Sequence, residues 1–239
     1  MTDLKENQND LIQRFEAAFN SIDRELRNRT GQNDDKPFSG VTRDYELMAK
    51  GWSHGNTLRR IAKLRNAIVH DKVEPYNYPA IPTESVIEKL EAIKRNLTSP
   101  KTAYSEFRRS EVVKVYTHQT LEEVLKEIYQ RDFSQFPVYD GSRFVGLLTE
   151  NGITRWLADY AQNRDSILLL TDTAVQDVLE KEERRSNFVF VARSVTLDEV
   201  TYAFGTKPNL EAVLVTENGK EHEKLLGIAT RWDLTSKSV

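Results

Sequence analysis

The feature that most constrains the fold is an internal repeat in the second half of the chain. EVVKVYTHQTLEEV at 111–124 is answered by NFVFVARSVTLDEV at 187–200, which sets Thr196-Leu197 against Thr120-Leu121 at an offset of 76. QFPVYD at 135–140 is answered by EAVLVT at 211–216 at the same offset, and FVGLLTENGI at 144–153 by LLGIATRWDL at 225–234 at an offset of 81. The five-residue difference falls in ENGKEHEK at 217–224, a polar turn where insertion costs little. A repeat of this length implies one supersecondary unit used twice.

Periodicity gives the content of that unit. EVVKVYT at 111–117 alternates and is β-branched, so it reads as a strand. TLEEVLKEIYQR at 120–131 reads as a helix capped by Thr120. QFPVYD and RFVGLLT (143–149) read as strands joined by a turn at Gly141, and GITRWLADYA as a second helix. Each copy is thus β-α-β-β-α.

The first half has a different period. Leu11, Phe15, Phe19, Ile22 and Leu26 lie at helical spacing within 9–28. TGQNDDKPFSG at 30–40 is a breaker-rich loop, a second helix is expected over 42–50, and a third runs from about Thr57 to His70. Three prolines within 74–82 exclude a helix there, and Thr83 then caps a fourth, with Val86, Ile87, Leu90, Ile93 and Leu97 apolar. The expected fold class is α+β: a helical domain at 1–98, a linker at 99–110, and repeats at 111–166 and 167–239.

Composition removes several functions. The 239 residues include no cysteine, so disulfides and thiolate metal sites are excluded, and no metal-ligand spacing stands out. The polar N-terminus lacks the apolar core of a signal peptide, and no apolar run approaches a membrane span. The expectation is a cytoplasmic protein with no membrane partner. Residues 47–70 contain no acid, while Lys50, Arg59, Arg60, Lys63 and Arg65 are basic. That window either attracts phosphate, RNA included, through the face at 50–65, or solvates one helix side.

The repeated unit resembles the CBS domain, whose copies occur as tandem pairs packed sheet to sheet. The likeness rests on the element order, the threonine-leucine helix starts, Phe136-Pro137-Val138, and a closing Gly-apolar-apolar-Thr-x-x-Asp motif. It implies an adenosine ligand (AMP, ADP, ATP or S-adenosylmethionine), with the threonine hydroxyl on a phosphate and the aspartate on the ribose hydroxyls. The chemistry suits the residues, since a hydroxyl beside a helix start favours an anion and a carboxylate accepts two hydroxyls. The second copy keeps Gly227, Thr230 and Asp233, with Arg231 between them to neutralise phosphate. The first keeps Gly146 and Thr149 but has Gly152 in place of the aspartate, so one competent site and one degenerate site are expected. Thr230 and Asp233 can equally be a helix cap.

Arg65, Asn66 and His70 in RNAIVH resemble the signature of the HEPN superfamily of helical domains. That likeness implies a metal-independent ribonuclease acting as a homodimer, the histidine moving a proton and the arginine stabilising charge on phosphorus. On a straight helix, positions five apart are separated by about 140°, so Arg65 and His70 do not share a face. A C-terminal histidine also simply favours the helix dipole. His54, His118 and His222 read as exposed loop or strand-end residues. The functional expectation is a regulatory protein whose CBS pair binds an adenosine nucleotide and controls a dimeric helical domain. The alternatives are a toxin- or defence-type ribonuclease and a non-catalytic dimerising adaptor.

Overall fold

The computed structural model describes residues 2–70, 78–109, 111–163, 169–182 and 187–235; for 2–6, 70 and 163 it describes the backbone alone. The sequence readings that fall on 74–77 and on the boundary at 166–167 lie outside these residues. The chain forms two compact units, Met1–Lys101 with Thr196–Tyr202, and Thr102–Val195 with Ala203–Val239.

The first unit is built on four helices: α1 (Thr2–Thr30), α2 (Phe38–Met48), α3 (Gly55–His70) and α4 (Glu84–Thr98). The spacing read from the sequence identifies its core, because Phe15, Ile22, Leu26, Leu58, Ile68, Ile87 and Leu90 are all fully buried. The second helix begins four residues before the sequence suggested. Pro37 occupies its N-cap with φ −57°, ψ 140°, so the ring's fixed φ launches the helix from within the apparent loop. Inside that helix the Thr42 hydroxyl donates back to Phe38 and Ser39, which satisfies it in a buried position.

The second unit holds two sheets of identical plan. In one, β1 (Val115–Tyr116) pairs parallel with β2 (Gln135–Asp140), which pairs antiparallel with β3 (Arg143–Thr149). In the other, β4 (Phe188–Ala192), β5 (Ala212–Thr216) and β6 (Gly227–Thr230) repeat that order. Helices α6 (Leu121–Arg131) and α9 (Leu197–Thr206) make the parallel crossovers, and α7 (Glu150–Asn163) and α10 (Arg231–Thr235) follow the last strands. The shared threonine-leucine starts are capping boxes. Thr120 N–H donates to Glu123 at 3.0 Å and Thr196 N–H to Glu199 at 2.9 Å, and each glutamate's N–H donates to the threonine hydroxyl at 3.3 Å. Phe144 joins the sheets, with its ring 5.0 Å from Phe188 and 5.1 Å from Phe190 in edge-to-face contact.

Two expectations need correction. The first strand is shorter than 111–117, because only Val115 and Tyr116 pair with β2. The segment read as a linker is part of the repeat: it folds as α5 (Ala103–Phe107), capped by Thr102 and Ser105, and α8 (Val175–Leu179) is its counterpart. These two short helices are exchanged. Val175 N–H bonds Gln119 of the first copy and Gln176 N–H bonds Thr117, while Ala103 N–H bonds Val195 of the second copy and Tyr104 N–H bonds Arg193. Accordingly α8 packs on β3 and α5 on β5 and β6.

Glycine permits this approach. A Cβ on Gly227 would lie 2.3 Å from the Phe107 carbonyl oxygen, whereas one on Gly146 would meet only the Leu179 side chain, at 3.2 Å. Backbone cannot yield as a leucine methyl can. Gly227→Ala is therefore expected to cost about 1–3 kcal/mol and Gly146→Ala clearly less, as read by urea denaturation.

Candidate functional site

The motif of the second copy sits where β6 passes into α10. Asp233 is three residues past Thr230, so its carboxylate folds back onto the strand end. Oδ2 accepts the Thr230 N–H at 2.8 Å and the Thr230 hydroxyl at 2.9 Å. Oδ1 accepts Nη2 of Arg109 at 3.0 Å, and the exchanged helix α5 delivers that arginine. With Arg109 and Asp233 side chains 41% and 21% exposed, the ion pair contributes under about 1 kcal/mol and can be broken by a competing charge.

Arg231 does not face this group. Its Nη2 donates to the carbonyls of Lys207 and Pro208 at 2.9 and 3.1 Å, and the guanidinium lies 5.4 Å from the Phe204 ring centroid. At five residues, α10 offers a weak dipole, so the positive charge beside Asp233 is that of Arg109. Arg109 borders a broad groove lined by Tyr104 and Tyr116 and by more cations (Arg108, Arg109, Lys114, Lys126, Arg131, Lys224) than acids (Glu111, Glu123, Glu127).

In the first copy Gly152 supplies no carboxylate, yet a carboxylate is present. Glu182, three residues past α8, is buried and reaches Thr149 from 33 positions away. Its Oε2 accepts the Thr149 N–H and hydroxyl, both at 3.3 Å, and the Thr149 hydroxyl in turn accepts the Gly152 N–H at 3.0 Å. These are the bonds Asp233 makes to Thr230, made by a different residue. Gly152 is what leaves room, since a Cβ there would lie 1.8 Å from Oε2. Burial pushes the Glu182 carboxyl above the usual glutamate range, against the two Thr149 hydrogen bonds, which pull it down.

The sequence shows neither Glu182 nor Arg109 as a site residue, because each partnership spans the repeat boundary. The available signal was the missing acid at 152, which left Thr149 without the partner its twin has.

In the helical unit, Arg65 is half-buried, with its guanidinium 5.7 Å from the Phe19 ring centroid and its buried Nε without a partner among the described residues. Asn66 is exposed. His70 ends α3, and its side chain lies outside the described residues. The basic window is partly neutralised, as Arg59 donates to Glu46 at 2.6 Å. His54 is not an exposed loop residue: its Nε2 is 3.3 Å from Asn96 Nδ2, its ring packs edge-on to Trp52, and burial pushes its pKa down. His118 and His222 are exposed. Among the described residues no cluster of three or more His, Asp or Glu could hold a metal, and no helix is long and apolar enough to cross a membrane.

Residues 105–159, from within α5 to within α7, match the family model of the CBS domain. The chain is thus α+β, with a helical region followed by a segment that matches the CBS domain and a second sheet of the same plan. No curated protein matches the chain. Among solved structures it is similar to the CBS domain pair of protein MJ0100 in complex with 5′-methylthioadenosine and S-adenosyl-L-methionine. The identity is 18% and the TM-score 0.43, over 58% of this chain and 96% of that one. It is also similar to CBSX2 in complex with AMP, at 16% identity and TM-score 0.44 over 58% and 96%. A third is the CBS-domain protein ATU1752 from Agrobacterium tumefaciens, at 17% and 0.41 over 54% and 90%.

The borrowed carboxylate gives two expectations. Gly152→Asp, which restores the motif, drives its side chain into Glu182 and is expected to cost about 2–4 kcal/mol. Adding Glu182→Ala should recover much of that loss, a coupling that a double-mutant cycle in urea measures directly. The second concerns pH. A carboxyl whose folded pKa is raised stabilises the fold most below its unfolded pKa of about 4.3, and loses that contribution as pH rises through the folded value. Glu182→Gln is therefore expected to melt higher than the parent at pH 8 and to show no such advantage at pH 4, by differential scanning calorimetry.

Proposed function

We propose that the chain is a ligand-sensing regulator in which the CBS pair binds one adenosine nucleotide at the Thr230–Asp233 strand end. The observation that carries this reading is the Arg109–Asp233 pair. Arg109 closes Asp233 Oδ1 with a half-exposed, exchangeable charge, beside a groove with an excess of cations. A nucleotide brings both partners that could replace the pair. Its phosphate competes for Arg109 with charge-assisted hydrogen bonds, and its ribose diol donates to the carboxylate that Arg109 releases. Arg109 thus shifts from neutralising Asp233 to neutralising phosphate. Arg109 lies two residues past the end of α5, the short helix that follows the helical unit in sequence, so in this reading the shift acts on the segment that joins the two units in sequence.

The regulated output in this reading is the helical domain, acting in a homodimer. We favour it over the ribonuclease reading of a HEPN-like domain, since Arg65 is committed to packing on Phe19 rather than held out toward a phosphate.

Thermal stabilisation by AMP, ADP, ATP and S-adenosylmethionine tests the site. At least one is expected to raise the melting temperature of the wild type, and Asp233→Ala is expected to abolish that shift. Arg109→Ala should weaken a phosphorylated ligand by about tenfold and adenosine much less, because it removes one charge-assisted contact of about 1.5–3 kcal/mol. No shift with any of the four, or an undiminished shift in Asp233→Ala, would contradict the assignment. RNA cleavage lost in His70→Ala would restore the ribonuclease reading.

A further inference from the structure

Glu182, which reaches the first copy's Thr149, also borders a cavity of about 290 Å³ within the second unit, near the lower end of ligand-site volumes. Among the described residues its wall carries three acids, Asp140, Glu180 and Glu182, against one cation, Arg143. That cation is already engaged, with Nη2 of Arg143 donating to Asp140 at 3.2 Å. The chemistry is therefore the reverse of the cationic groove beside Asp233.

A second observation is independent of the acids. Asn187 lines the same cavity, is 1% exposed, and has neither its side-chain oxygen nor its nitrogen hydrogen-bonded among the described residues. A buried carboxamide left unpaired costs about 1–3 kcal/mol, and such groups ordinarily find a partner. Apolar wall is supplied by Val145, Leu147, Leu179 and Phe188. A ligand that satisfies this lining places a cationic donor on Glu182 and the Asn187 oxygen and a short apolar body on the leucines and Phe188.

We propose that this cavity is a binding site for a small organic cation, an ammonium on a short alkyl chain, and that it rejects phosphates. The proposal is independent of the nucleotide reading, because it uses no residue of the Thr230–Asp233 end. Burial is what raises the Glu182 carboxyl, against the pull of Arg155, and a bound ammonium would add a counter-charge inside the cavity.

Titrating the full chain with n-butylammonium chloride, at ionic strength matched with sodium chloride and against 1-butanol, tests it by thermal shift and calorimetry. Butylammonium is expected to stabilise the wild type and Asp233→Ala alike, with neither control doing so. Glu182→Gln is expected to weaken binding by about tenfold or more through loss of the buried charge. Glu180→Gln, an exposed position that leaves the core intact, should weaken it by a smaller factor, and keeps the test decisive if Glu182→Gln does not fold. An equal response to 1-butanol or to sodium chloride would overturn the proposal. So would binding that neither glutamine variant weakens.

Discussion

The second unit depends on the exchange of two short helices between the repeats. α5 leads the first copy in sequence but packs on the second copy's sheet, and α8 does the converse. The exchange needs backbone-to-backbone approach, and Gly227 under the Phe107 carbonyl is where that approach is tightest. Neither copy can then complete its own surface alone. The shared core at Phe144, Phe188 and Phe190 makes the pair, rather than the single repeat, the unit that buries apolar area.

The same exchange makes two related strand ends chemically different. Whatever follows each short helix is delivered to the partner copy's threonine. After α5 that is Arg109, which meets Asp233; after α8 it is Glu182, which meets Thr149. One end consequently holds an acid covered by a base at the surface. The other holds an acid buried against a hydroxyl and an amide, with no base bonded to it among the described residues. On the proposed reading, a phosphate displaces the former arrangement by trading counter-ions and meets like charge at the latter, so the Thr149 end would differ in charge preference rather than be simply emptied.

Local pattern was enough for much of the fold. The hairpin QFPVYD–RFVGLLT coincides with β2 and β3, and Thr120 caps α6, because alternation and capping are properties of adjacent residues. The helical core from Phe15 to Leu97 was legible for the same reason. What escaped was everything that joins distant residues. AYSEF and VQDVL have too little in common to align, so α5 passed for a linker, and with it Arg109, 124 positions from Asp233, stayed hidden. Arg231, adjacent to the motif, looked like the phosphate partner, but its guanidinium is spent on two carbonyls of the loop after α9. In the structure the cation bonded to Asp233 is Arg109.

The asymmetry of the two strand ends is measured most directly by the stoichiometry of nucleotide binding. Calorimetric titration of AMP into the full chain is expected to give one site per chain, with an affinity that falls steeply as salt is raised, since an arginine trades a carboxylate for a phosphate. Two equivalent sites per chain, or one site insensitive to both salt and Arg109→Ala, would contradict it.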